Sequence, residues 1–296
     1  MDKPHNFWKR TFSSLKIYNY RLYFIGQAVS LCGTWMQVIG QDWLVLKLTN
    51  SGTQLGIVSA FQFLPTLLLG PWGGVIADRF NKRKVLYLTQ TAAAILALVL
   101  GLLVAGGFIQ IWMVYVLALA LGLVNTVNNP TQQTFVFEMV GQEQLQNAVT
   151  LNSTEVNLAR AIGPAVSGTL IATVGLAACF IINAVSYIAV LAAFYAMREA
   201  ELRPSRRVAQ IKGQLRQGFR YVRQSAVLLN ILIMMAIIGT LSYEFSVILP
   251  LVAQFTFHGG AGTYAALVSA TGVGSVLGGL YIASRRRAST RLLVLS

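Results

Sequence analysis

Four ionisable side chains lie inside long apolar runs of this sequence, at Asp42, Glu155, Arg160 and Glu244. A charged side chain at the centre of a bilayer costs about 2.5–3.5 kcal/mol on insertion scales, so such residues normally face a partner or a water-filled cavity. A carboxylate in this setting is suited to binding and releasing a proton during transport. The four residues are therefore candidates for coupling proton movement to substrate movement.

The four positions lead to different expectations. Glu155 and Arg160 are five residues apart, which is about 140° around an α-helix, so we do not expect them to pair with each other. We expect Arg160 to face a central cavity. Glu244 has apolar neighbours on both sides and is a candidate proton carrier, with a structural hydrogen bond as the alternative. Asp42 lies near the outer end of its run, where contact with water is an equal alternative.

A dense charged cluster lies between two apolar runs in the segment GPWGGVIADRFNKRK, residues 70–84. The basic residues of this segment fix the topology, but topology does not explain the acidic Asp78. Gly70 and Gly74 form a small-xxx-small face, which predicts close packing against another helix. Asn81 is expected to adopt the left-handed backbone of a tight turn, which asparagine tolerates well.

A second segment, AIGPAVSG at residues 161–168, places a proline inside an apolar run. Pro164 has no N–H, so the carbonyl of Arg160 loses its helical partner. The small neighbours Gly163 and Gly168 allow another helix to pack at this bend. An ordinary proline kink in a spanning helix is the alternative interpretation.

Both segments resemble signatures of the major facilitator superfamily, in the drug/proton antiporter branch that contains macrolide exporters and enterobactin-type siderophore exporters. The first resembles Gly-x-Leu-Ala-Asp-Arg-x-Gly-Arg-Lys, with Asn81 in place of the second glycine. This resemblance implies a conformational latch against the other half of the transporter, formed by Gly74, Asp78, Arg79, Lys82 and Arg83.

The second segment resembles the antiporter signature of the fifth spanning helix through Arg160, Gly163, Pro164 and Gly168. Many antiporters of this superfamily also carry an arginine in the fourth span, whereas residues 109–128 contain none. Either Arg160 fills an analogous role or the coupling differs.

The elements that must position these residues are long apolar helices. The chain has 296 residues, of which 55% are hydrophobic and 11% are charged, whereas soluble domains usually carry about a quarter charged residues. Since roughly 20 apolar residues cross a bilayer as a helix, we predict an all-α polytopic membrane protein. The predicted spans cover residues 22–46, 54–77, 85–106, 109–128, 146–174, 176–197, 226–250 and 262–284.

The distribution of basic residues sets the topology. Of the 23 lysines and arginines, 21 lie in four clusters between or beside the spans, all on one predicted side of the membrane. By the positive-inside rule that side is cytoplasmic. The prediction is a multi-pass protein of the bacterial cytoplasmic (inner) membrane with its N-terminus in the cytoplasm.

The spans fall into two groups. We predict a basic N-terminus at 1–21, a six-helix bundle of the major facilitator type at 22–197, a cytoplasmic linker at 198–225 and a partial second bundle at 226–296. The second bundle would hold two helices and the start of a ninth, so we expect a C-terminally truncated chain that does not transport by itself.

The sequence lacks the motifs of several other classes of function. The sequence contains no nucleotide-binding GxxxxGK[ST] loop and no HExxH or Cys/His metal spacing. His5 and His258 are isolated, and Cys32 and Cys179 are expected to be buried apolar residues. We expect no enzyme activity, no metal, no cofactor besides the proton gradient as energy source, and no nucleic-acid partner.

The sequence thus predicts a secondary active transporter that exports drug-like or siderophore-like small molecules by alternating access, coupled to protons. The predicted cavity-lining residues are Trp35, Gln41, Asn125 and Asn157. The partners are membrane lipid and the small-molecule substrate, and we expect a monomer. An uptake permease of the same fold and a non-transporting scaffold or receptor remain alternatives. A membrane-embedded enzyme is disfavoured because no catalytic constellation emerges.

Overall fold

The computed structural model describes residues 12–203, 220–242 and 245–284, and these ranges are helical, with no strand among them. The helices, in chain order, are α1 (Tyr18–Thr49), α2 (Gly52–Arg79), α3 (Lys82–Ala105), α4 (Ile111–Thr173), α5 (Leu176–Ala196), α6 (Ala226–Ser242), α7 (Phe245–Leu251) and α8 (Ala261–Ser284). Short 3₁₀ turns cover Ser13–Lys16 and Glu199–Glu201, and a π-helical turn covers Val252–Thr256.

Within the described residues, five helices are long and apolar enough to cross a membrane, namely α1 to α5. Helix α4 has 63 residues and contains both predicted spans, 109–128 and 146–174, except for their outermost one or two residues. Helix α4 runs through the residues between these two spans as far as residue 140. Its backbone leaves helical geometry only at Gly141, which has φ 70°, a conformation that glycine adopts at little cost.

Helices α1 to α5 pack into one bundle. Helix α1 packs against α5 and α4, α2 packs against α4, and α3 packs against α5. At the end of the bundle that carries the chain's N-terminus, an aromatic cluster fills the core, including the fully buried rings of Tyr20, Phe135 and Phe194. Each aromatic side chain buries about 150–250 Å², so this cluster contributes strongly to the packing of α1, α4 and α5.

Helix α2 approaches α4 closely through one glycine. A Cβ atom added at Gly73 would collide with the backbone carbonyl of Thr126, whereas no atom of the described residues lies within 4 Å of such a Cβ at Gly70 or Gly74. The face formed by Gly70 and Gly74 thus makes no close helix contact among the described residues, and its predicted packing stays a prediction. The close contact of α2 with α4 is made by Gly73, which is one position before Gly74 and lies on the face of α2 that packs against α4.

The AIGPAVSG segment joins α4 to two other helices. A Cβ at Gly163 would lie 2.5 Å from the Cβ of Trp35 in α1, and a Cβ at Gly168 would lie 2.8 Å from the Cβ of Ala265 in α8. A glycine of α8 also packs closely against α4, because a Cβ at Gly272 would lie 2.8 Å from the Cα of Ala161. Small residues thus bring the six-span region and the following helices into direct contact.

Polar contacts tie the start of the chain to the rest of the bundle. The buried Ser14 hydroxyl donates to Asn147 Oδ1 at 2.7 Å. The Asn19 side chain donates to the Arg198 carbonyl and accepts from the Arg198 N–H, each at 2.9 Å. These bonds hold the beginning of α1 beside the end of α5 and the middle of α4.

Candidate functional site

A cavity of about 400 Å³ lies between the first bundle and the helices that follow it. Helices α1, α2 and α4 form one wall, and α7 and α8 form the other. Its described lining residues are Trp35, Val38, Ile39, Asp42, Ser59, Gln62, Phe63, Arg160, Phe245, Leu249, Tyr264, Val268, Thr271 and Ser275. We call it the central cavity.

The guanidinium group of Arg160 stacks over an aromatic ring in this cavity. Its Cζ atom lies 4.9 Å from the ring centre of Trp35, which is a cation–π contact between α4 and α1. Such contacts stabilise by about 2 kcal/mol or more where water is excluded. The Arg160 Nε atom is buried without a hydrogen-bond partner among the described residues. Arg160 therefore retains hydrogen-bonding capacity in the cavity that the described side chains do not use.

A buried hydrogen bond links the two walls of the cavity. The Tyr264 hydroxyl in α8 donates to the Oδ2 atom of Asp42 in α1 at 2.6 Å. Asp42 is only 6% exposed, so the structure places it among protein groups rather than in open water. A hydrogen bond to an ionised carboxylate is roughly twice as strong as a neutral one. The protonation state of Asp42 thus bears directly on the contact between α1 and α8.

The remaining lining of the central cavity is amphipathic. Neutral hydrogen-bonding groups come from Ser59 and Gln62 on α2 and from Thr271 on α8, beside the apolar side chains of Phe63 and Leu249. Ligand sites in proteins commonly combine a mostly apolar wall with a few polar groups that fix orientation. Together with one acid and one base, this lining suits an amphipathic small molecule.

The structure separates the four residues predicted to line the cavity. Trp35 lines the central cavity, whereas Asn125 lines a different cavity inside the first bundle. Gln41 is buried and lines neither of these two cavities. Asn157 is half-buried and donates to the Ser153 carbonyl of its own helix at 2.9 Å. A helix turns by about 100° per residue, so residues on the same helices as the cavity wall can still face elsewhere.

The predicted coupling residues are also separated. Asp42 and Arg160 both line the central cavity, and Glu155 does not. Glu155 is buried, and its Oε1 atom has no hydrogen-bond partner among the described residues. Glu244 lies outside the described residues. Asp42 is therefore the carboxylate among the described residues that line the central cavity, and Glu155 is buried at a separate position.

Two basic residues of the predicted latch make contacts within the first bundle. Lys82 Nζ lies 2.7 Å from Glu138 Oε1 of α4, and both side chains are buried. Arg83 donates through Nε to the Phe194 carbonyl at 2.9 Å and through Nη1 to Glu199. These contacts hold the start of α3 against α4 and the end of α5.

The other latch residues are more open. Asp78 and Arg79 are exposed, and Gly74 is half-buried. Asn81 does not have the predicted left-handed backbone, since its φ is −62°. Its side chain instead accepts a hydrogen bond from the Lys84 N–H at 3.1 Å, which caps the N-terminus of α3. Asparagine is favoured there because its side chain satisfies a free helix N–H.

Tyr264 and Glu138 are contact residues that the sequence interpretation missed. Tyr264 lies in the unremarkable apolar run TYAALVSA, and no local pattern marks it as the partner of Asp42. Glu138 carries a weak signal, because it is an acidic residue directly beside an apolar stretch. Among the residues that the structure describes, no group of three or more His, Cys, Asp or Glu could hold a metal ion.

Comparison with known proteins gives a family-level match. Residues 9–296 match the model of a family described as "Transmembrane secretion effector" of the major facilitator superfamily. The chain is 30% identical over 173 residues to the staphyloferrin A transporter of Staphylococcus aureus, which covers 58% of this chain and 44% of that protein. It is 24% identical over 170 residues to macrolide efflux protein A of Streptococcus pyogenes, which covers 57% of this chain and 40% of that protein. The chain thus spans less than half the length of these two relatives.

A solved structure supports the fold. The chain resembles a bacterial homologue of the human lysosomal transporter Spinster in an inward-facing, occupied conformation, with a TM-score of 0.66 and 15% identity. The match covers 91% of this chain and 62% of that structure. The predicted resemblance to macrolide and siderophore transporters of the major facilitator superfamily is confirmed, as is a multi-pass, all-helical membrane architecture.

Proposed function

Because this chain belongs to the transmembrane secretion effector family of the major facilitator superfamily, we propose that it exports drug-like or siderophore-like small molecules across the bacterial cytoplasmic membrane. Transport is driven by the proton gradient, and no other cofactor takes part. The N-terminus is cytoplasmic, as the basic clusters require. The relatives named above are transporters, and none of their names describes an enzyme.

The observation that carries this proposal is the central cavity itself. It lies between the first bundle and the helices α7 and α8, and its lining includes Asp42 and Arg160 together with apolar groups. In transporters built from two bundles, the substrate site lies at the bundle interface near the middle of the membrane. Ionisable residues at that depth are expensive, so their presence in a cavity favours a role in binding or proton transfer.

Arg160 is the proposed anchor for an acidic group of the substrate. Arginine has several N–H donors in a planar fork that matches a carboxylate or phosphate. Its stacking on Trp35 fixes the side chain, and its unpartnered Nε is available for a further bond. The apolar part of the substrate would contact Phe63 and Leu249.

Asp42 is the proposed proton carrier. In the ionised state its carboxylate accepts the Tyr264 hydrogen bond and helps to hold α1 against α8. Protonation removes the charge that strengthens this bond, so the walls of the cavity separate more easily. Proton binding at Asp42 would in this way favour the rocking of the two bundles. The latch residues at 74–83 would hold one of the two states.

The test is the accumulation of a panel of compounds in cells that express the gene from which this chain comes. The panel includes macrolides and siderophores, and each compound is measured with and without a protonophore. Lower accumulation on expression, reversed by the protonophore, is the expected result. Substitution of Arg160 by Ala should remove the effect for acidic compounds.

Other outcomes separate the alternatives. An uptake permease would raise accumulation and show counterflow in the opposite direction. A scaffold or receptor would leave accumulation unchanged in the parent protein and in the Arg160→Ala and Glu244→Gln variants alike. A reduction in accumulation that persists in the protonophore would contradict proton coupling.

A further inference from the structure

A second cavity, of about 200 Å³, lies inside the first bundle among α1, α3, α4 and α5. We call it the amide cavity, because amide and hydroxyl side chains dominate its wall. The residues that matter for its chemistry are Gln27, Thr34, Gln90, Asn125, Asn128 and Gln132. No Asp, Glu, Lys or Arg occurs among its described lining residues. Such a concentration of polar groups is unusual within membrane-spanning helices and marks functional sites.

One hydrogen-bond acceptor in this wall is left open. Gln90 is only 4% exposed, and its Nε2 donates to Asn128 Oδ1 at 3.2 Å. The same Asn128 oxygen also accepts from the Thr89 hydroxyl at 3.0 Å. Gln90 Oε1 is buried and has no partner among the described residues. A buried acceptor without a donor costs about 1–3 kcal/mol, so a ligand that supplies a donor would relieve that cost.

The chemistry of the wall restricts the class of ligand. An amide side chain offers two donors and one acceptor oxygen, and a hydroxyl group offers both functions. Such a wall pairs well with hydroxyl groups, which also donate and accept. A charged ligand would meet no counterion among the described lining residues, and a bare metal ion would find no carboxylate. The volume corresponds to roughly seven water molecules at about 30 Å³ each, which suits a group larger than an ion.

The position of the amide cavity relates it to the central cavity. Thr34 lines the amide cavity and the next residue, Trp35, lines the central cavity. Along α1, the stretch 27–34 contributes to the first and the stretch 35–42 to the second. Two neighbouring sites of different polarity suit two parts of one amphipathic molecule.

We propose that the amide cavity binds an uncharged, hydroxyl-rich group about the size of one sugar ring, carried by the transported molecule. This inference rests on the proposed function, since it assigns part of the substrate. The unpartnered Gln90 oxygen accepts a hydroxyl donor, and the surrounding amides fix the orientation of the ring. The central cavity then receives the acidic and apolar parts of the same molecule.

The probe is methyl β-D-glucopyranoside, added to the full chain in phospholipid nanodiscs and followed by saturation-transfer NMR. We expect the glucoside to bind the parent protein. Gln90→Met removes the unpartnered acceptor, and Asn125→Leu removes a lining amide at nearly constant shape. Each should weaken binding about fivefold, which is the equivalent of one neutral hydrogen bond. Gln41→Met is the matched control, because Gln41 is a buried glutamine of α1 that lines neither cavity.

Three results would overturn this site. The first is the absence of saturation transfer to the glucoside, which would mean that the cavity holds only water. The second is equal affinity in the parent protein, Gln90→Met and Asn125→Leu, with all three showing the same thermal stability. The third is equal binding of methyl β-D-glucuronide, whose carboxylate the neutral wall should reject. Because the readout is binding, the two proposals can fail separately. Glucoside binding by the chain, with no change in compound accumulation in cells that express the gene from which it comes, would refute the proposed function and leave the site standing.

Discussion

Asp42 and Tyr264 form a buried hydrogen bond between residues that are 222 positions apart in the chain. The sequence shows that Asp42 is energetically costly to place in a membrane, because an acidic side chain within an apolar run needs a partner or water. It could not identify the partner, since a tyrosine in an apolar run has no distinguishing local pattern. The same limit applies to Arg160, whose cavity was predicted but whose stacking partner was not.

Two substitutions separate the proton role of Asp42 from its structural role. Asp42→Asn keeps an acceptor for the Tyr264 hydroxyl but cannot exchange a proton, so we expect transport that no longer responds to an imposed pH gradient. Tyr264→Phe keeps the carboxylate, so we expect a retained pH response and a loss of about 1.5–3 kcal/mol of stability, typical of a hydrogen bond to a charged group. Transport in inverted vesicles and thermal unfolding measure the two effects.

The proton-carrier role of Asp42 is contradicted if Asp42→Asn follows the pH gradient as the parent protein does. A loss of pH response in Tyr264→Phe, with unchanged stability, would instead assign the effect to the hydroxyl group.

The packing of α2 against α4 shows what can be learned about a helix from its sequence. The glycines of GPWGG predict a close helix contact, and α2 does make one. The sequence does not reveal which glycine faces the neighbour, because Gly70, Gly73 and Gly74 are all possible and the rotation of α2 is fixed by contacts along its whole length. In the structure Gly73 is the residue pressed against the Thr126 carbonyl.

A matched pair of substitutions tests this contact. Gly73→Ala adds a methyl group against a backbone carbonyl, so the helices must shift, at a cost of about 1–3 kcal/mol of stability. Gly74→Ala adds the same group where no atom of the described part of the chain lies within 4 Å, and alanine favours helix more than glycine does. We expect a lower unfolding temperature for Gly73→Ala and an equal or higher one for Gly74→Ala. The reverse order would mean that α2 presents its other face to α4.

The long helix α4 illustrates a different limit. The predicted spans, 109–128 and 146–174, leave out its polar stretch at residues 129–145. The helix passes through Pro130 in this stretch, and its backbone leaves helical geometry only at Gly141. Local polarity therefore marks where the apolar run ends, which is not where the helix ends.

At the scale of the whole molecule, composition and charge distribution carry most of the predictable information. The all-α membrane architecture and the family follow from apolar length, basic clusters and two short signatures. The cavities do not, because each combines side chains from helices far apart in the sequence. The amide cavity, for example, needs the relative rotation of four helices.

The orientation in the membrane is testable with a pair of exposed phenylalanines. Phe108 is 72% exposed in the turn between α3 and α4, and Phe80 is 61% exposed in the turn between α2 and α3. In a chain whose two native cysteines are replaced by alanine, Phe108→Cys should react with a membrane-impermeant maleimide on intact cells. Phe80→Cys should react only after permeabilisation. The opposite labelling pattern would place the N-terminus outside the cytoplasm.

The most direct test of the account is compound uptake by inverted membrane vesicles with an imposed proton gradient. The vesicles come from cells that express the gene from which this chain comes, with either the parent sequence or Arg160→Ala. The compound is an acidic member of the panel whose accumulation in cells falls on expression. We predict gradient-dependent uptake by the parent vesicles and little above the empty-vector level with Arg160→Ala. Equal uptake by parent, variant and empty-vector vesicles would contradict an exporter that binds its substrate at Arg160.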